Sequence, residues 1–99
     1  MSRSLIERRL TDVTHGLRRA RAELALLDEQ ATVFKEAADD ARLRSFVSET
    51  PMAHRDYSDA QRHADAMARS RKVLETQIAK LSATQDELLD RLVAASESL

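Results

Sequence analysis

The 99-residue chain has no cysteine, no tryptophan, a single glycine and a single proline. The missing cysteines exclude a disulfide scaffold and every thiolate metal site. One Gly and one Pro cannot punctuate a many-stranded fold, whose tight turns depend on those residues. Aromatic residues make up only 3% of the chain, so rings for base stacking or a bulky core are scarce. Nor does one sign of charge dominate. Sixteen Lys and Arg stand against 17 Asp and Glu, a formal net charge of −1, which argues against a purely electrostatic nucleic-acid binder. No apolar run reaches the length of a signal peptide or a bilayer span. The expected location is cytoplasmic, with no membrane partner.

What the chain does have is 42% hydrophobic and 33% charged residues, in a length that suits one small domain. The spacing of the apolar residues sets the fold class. Ile6, Leu10, Val13, Leu17, Ala20, Leu24, Leu27, Ala31, Phe34, Ala38 and Ala41 follow one another by steps of four and three without a slip. Tyr57, Ala60, Ala64, Met67, Arg71, Leu74, Ile78, Leu81, Gln85, Leu88, Leu92 and Ala95 do the same. A 3.5-residue period sustained over several heptads is the signature of a coiled coil. The sequence therefore predicts an all-α chain, with a helix over 4–44, a turn over 45–50 and a helix over 51–96.

The breaks support this division. Thr50 as N-cap with Pro51 at the first helical position makes a good helix start. Ser4 and Glu7 fit a capping box for the first helix. Leu43, Phe46, Val47 and Met52 depart from the heptad and are expected to plug the tip.

If the two stripes face each other antiparallel, a layers meet d layers. Ala41 then pairs with Tyr57, Phe34 with Ala64, Leu17 with Leu81 and Ile6 with Leu92. Every such pair sums to 98, which centres the turn near residue 49, where Thr50 and Pro51 place it independently. Charge agrees. The Arg-rich stretch 1–21 lies beside the acidic 77–97, and the acidic 23–40 lies beside Arg62, Arg69, Arg71 and Lys72. An antiparallel coiled-coil hairpin follows. The alternative is a long dimeric rod kinked near Pro51.

Two seam positions are polar, Arg71 opposite Leu27 and Gln85 opposite Val13. Polar seam residues weaken a coiled coil but fix its alignment. Asp28 or Glu23 is the expected partner of Arg71, whose stem can still pack. Gly16, the only glycine, falls mid-helix at a g position, where it costs about 1 kcal/mol relative to Ala.

A two-helix hairpin has little core of its own and tends to find a partner. Ala22, Leu26, Val33, Ala37, Ala66 and Val73 lie off the seam on one side, with Leu26 level with Val73 and Val33 level with Ala66. A contiguous exposed apolar patch marks an interaction surface. This flank is expected to dock a second hairpin, giving a homodimeric four-helix bundle, or a helix of another protein.

Other chemistry is sparse. Asp12 with His15 and Asp59 with His63 each share a helical face, but bundle metal sites need several such ligands converging. Gly-rich phosphate loops, nucleophile elbows and His-Glu-x-x-His are missing from the sequence. No enzymatic activity, metal or cofactor is expected. Arg8, Arg9, Arg18 and Arg19 form the candidate nucleic-acid contact, blunted by acidic residues of the second helix and without a groove-reading motif.

In architecture the chain resembles two-helix coiled-coil hairpins as a class. One group of such hairpins, among actinobacterial anti-sigma factors, holds cyclic di-GMP through Glu-x3-Ser-x2-Arg-x3-Gln-x3-Asp on each helix. Gln61 and Asp65 match its last two places, whereas Thr50, His54 and Tyr57 fill the earlier ones and supply no guanidinium. Neither that family nor its ligand is assigned. The expected function is a non-enzymatic protein–protein interaction module. The alternatives are a small regulator that occludes a transcription or cell-division component, and a weak nucleic-acid binder.

Overall fold

The computed structural model describes residues 2–97. Two long helices account for nearly all of them, α1 over Arg3–Ser48 and α2 over Pro51–Glu97, joined by Glu49 and Thr50 as a helical hairpin. No strand occurs among the described residues.

Each boundary has a local cause, and two differ from expectation. The N-cap of α1 lies two residues earlier than the capping-box pattern implies. Ser2 is the N-cap: its Oγ accepts the Leu5 N–H at 3.2 Å, and its carbonyl accepts the Ile6 N–H at 3.0 Å. Ser4 is therefore inside the helix, and Glu7 pairs with Arg3 at 3.1 Å instead of reaching back to a cap. α1 also runs on to Ser48, so the expected six-residue turn shrinks to two residues. The helix continues because Ser45 takes the next seam position after Ala41. Its buried hydroxyl donates to the Arg42 carbonyl at 2.7 Å, so the polar atom is satisfied inside the helix.

The end comes at Glu49, whose φ of 47° is left-handed and whose N–H donates to the Ser45 carbonyl at 3.1 Å. This is the αL termination that usually employs glycine. Thr50 then caps α2 as expected, its Oγ1 accepting the Ala53 N–H at 3.1 Å.

The helix extension overturns the expected plug. Leu43, Phe46, Val47 and Met52 are 65–79% exposed. Continued helix turns them away from the seam, and Ser45 fills the inward place instead.

The chain divides into two compact units, a terminal one formed by Met1–Glu23 with Leu74–Leu99 and a central one, Leu24–Val73. In both, α1 and α2 pack antiparallel with the expected alignment. In the terminal unit Gln85 reaches Thr14, and Leu81 lies 3.9 Å from where a Cβ on Gly16 would sit. In the central unit Arg71 reaches Asp28, and the Phe34 and His63 rings lie 5.8 Å apart. These residue numbers sum to 97 or 99, bracketing the 98 read from the heptads. Every predicted seam position is buried or half-buried except Arg71.

The two units fill their seams differently. Among the described residues, the buried side chains of the terminal unit are Ile6, Leu17, Ala20, Leu74 and Leu88, and those of the central unit are Ala38, Ala41 and Ser45.

Candidate docking surface

The polar seam residues set up the surface. Arg71 leaves the seam and pairs through Nε with Asp28 Oδ1, with both side chains about half exposed. Asp28 is one of the two expected partners. Gln85 remains half-buried and its Nε2 donates to Thr14 Oγ1 at 3.1 Å. Both partners, Asp28 and Thr14, occupy heptad e positions. Within its own unit each polar seam residue therefore turns toward the e positions of α1, and each has a partner in its own chain.

The opposite side carries the c and g positions. In the central unit α1 places Leu26, Gln30, Val33 and Ala37 there, and α2 places His63, Ala66, Ser70 and Val73. None of these carries a formal charge at neutral pH with His63 neutral, whereas the e and b positions over the same stretch include Asp28, Lys35, Asp39, Asp65 and Lys72. Leu26 is 55% exposed, Val33 64% and Val73 59%. Ala37 and Ala66 are exposed beside them. Five of the six residues expected to form the docking flank thus lie in one unit. The sixth, Ala22, is exposed too but belongs to the terminal unit. A charged layer of Asp40, Arg44, Asp56 and Asp59 closes the flank toward the turn. Beyond that layer Val47 and Met52, both exposed, resume the apolar c stripe. The outward-turned tip is what sequence reasoning missed. Its signal was available, since Val47 and Met52 keep the seven-residue spacing of Val33 and Ala66.

The remaining candidates are dispersed. Arg8, Arg9, Arg18 and Arg19 are all exposed, but they occupy the f, g, b and c positions and so spread around the outer half of α1 rather than lining one groove. His15 and His54 are exposed. Asp59, the expected companion of His63, accepts from Arg62 Nη2 at 2.6 Å, while His63 tilts against Phe34. Among the described residues no three His, Asp or Glu side chains come together as a metal-ligand set. Gln61 Nε2 donates to Asp65 Oδ1 at 2.9 Å, so the two residues that match the cyclic di-GMP motif bond to each other.

One surface depression of about 280 Å³ runs along a single stripe of α1, past Asp39, Arg42, Leu43 and Phe46, with the Arg42 guanidinium 5.6 Å from the Phe46 ring centre. No described helix is long and apolar enough to cross a membrane. No family model, curated protein or solved structure matches the chain.

Proposed function

We propose that the chain is a non-enzymatic interaction module of the cytoplasm that uses the uncharged c/g flank of its central unit to dock a helical surface. The observation that supports this most is the exposure of Leu26, Val33 and Val73 on one charge-free side while the seam between the same helices buries alanines. Taking apolar surface out of water contributes about 25 cal/mol per Å². A solvated patch of this kind is a reservoir that a partner can use. The flank is also built for helices, since apolar side chains at seven-residue spacing on two antiparallel helices make the ridges and grooves into which another helix packs.

Photo-crosslinking tests this directly. A photoreactive residue at Val33 is expected to give protein adducts, whereas the same residue at Ala25, a b position on the charged flank, is not. Leu26→Glu should abolish the Val33 adducts. Equal adducts from both sides, or adducts that survive Leu26→Glu, would reject the flank as a docking surface.

A further inference from the structure

Resting on that reading, we infer that the occupant of the flank is a second copy of this chain, related by a two-fold axis parallel to the central helices, so that α1 of each copy lies on α2 of the other. The flank alone is apolar and would not choose between partners. Its borders do. The f positions next to it on α1 hold Glu29 and Glu36, and those on α2 hold Arg62 and Arg69, all exposed. Within one chain these charges point away from the seam on opposite outer edges, so they do not face each other. The flank therefore has one acidic edge and one basic edge.

Symmetry then decides the arrangement. A two-fold axis along the helices places α1 over α2 of the second copy at the same level. Levels follow the observed alignment, in which numbers sum to about 98. Leu26 meets Val73 of the second copy, and Val33 meets Ala66. At the border Glu29 is level with Arg69 and Glu36 with Arg62, in both halves of the interface. A two-fold axis across the helices would instead set α1 on α1, acid against acid and base against base. Like-charge juxtaposition discriminates against that alternative. The contact is isologous, so it closes at two chains and gives a four-helix bundle.

Arg62 already bonds Asp59 on its own helix, but it is 75% exposed and a guanidinium has five donors, so it can bond Glu36 of the second copy as well. The uncharged stretch is about 18 Å long at 1.5 Å per residue, which points to a small, concentration-dependent interface rather than an obligate one.

Charge exchange provides the test. Glu29→Arg/Glu36→Arg makes both edges basic, and Arg62→Glu/Arg69→Glu makes both acidic. All four sites are exposed helix positions, and circular dichroism is the check that each variant keeps its helices. Sedimentation velocity should show wild type moving toward the mass of two chains as concentration rises. Each variant alone should associate at least about tenfold more weakly, since the four rim pairs of the two-fold interface turn repulsive. An equimolar mixture of the two should recover a two-chain species of mixed composition. Variants that associate like wild type, or a mixture that stays dissociated, would overturn the arrangement. A wild type that remains a single chain while Val33 still forms flank-specific adducts with another protein would overturn self-association and leave the docking flank standing. Loss of both would overturn both.

Discussion

The terminal and central units share one alignment and one secondary structure, yet they distribute their apolar side chains in opposite ways. Among the described residues, the terminal unit buries Ile6, Leu17, Leu74 and Leu88, and its exposed large apolar residues are Leu5, Leu89 and Val93. The central unit buries Ala38 and Ala41 and exposes Leu26, Val33, Leu43, Phe46, Val47, Met52 and Val73. Small seam residues allow close helix approach but remove little apolar surface from water. The difference suggests a division of labour. The terminal unit holds the buried Leu and Ile side chains, whereas the central unit only half-buries Leu24, Leu27, Phe34 and Met67 and leaves Leu26, Val33 and Val73 in solvent.

The largest expected effect sets two chemically identical changes against each other. Leu17→Ala, in the terminal seam, should cost about 3 kcal/mol through lost burial and a cavity. Leu26→Ala, on the central flank, should cost less than about 0.5 kcal/mol, as for other exposed sites. Urea denaturation at a concentration low enough to keep chains apart measures both. Equal costs would break the comparison.

Next come two backbone changes, one in each unit, both expected to stabilise by up to about 1 kcal/mol. Gly16 has no positive φ, and an added Cβ would meet only the Leu81 methyls at ordinary contact distance, so Gly16→Ala should gain helix propensity without a clash. Glu49 is the reverse case: a side chain in the left-handed region, where glycine has no Cβ penalty. Glu49→Gly should raise the thermal midpoint, and a fall would show that the Glu49 side chain contributes more than its backbone costs.

The smallest effect concerns the polar seam. Asp28→Ala removes one partner of Arg71, but both groups are about half exposed, so the loss should stay below about 1 kcal/mol and shrink in high salt. A larger, salt-insensitive loss would mean that Arg71 is held by burial rather than by solvated charge.

The seam was legible in the sequence because a 3.5-residue period is a strong one-dimensional signal, and the constant pair sum added a global check. The ends were less so. The Glu three residues after Ser4 pointed to Ser4 as the cap, whereas Ser2 caps α1. At the tip, apolar composition suggested a plug, but helix continuation depends on whether Ser45 can satisfy its hydroxyl locally and Glu49 can adopt αL, neither of which periodicity reveals. The flank was readable from the c positions. Its charged borders were read as partners within the chain, because block charge ignores which face each residue occupies. Only their f positions show that Glu29, Glu36, Arg62 and Arg69 look outward.

The most direct test of the central claim is sedimentation of Val33→Glu/Val73→Glu beside wild type over the same concentration range. The variant is expected to stay at the mass of one chain and to unfold in urea at nearly the wild-type midpoint measured in dilute solution, while wild type moves toward two chains. A variant that associates as wild type does, with its helices intact, would contradict it.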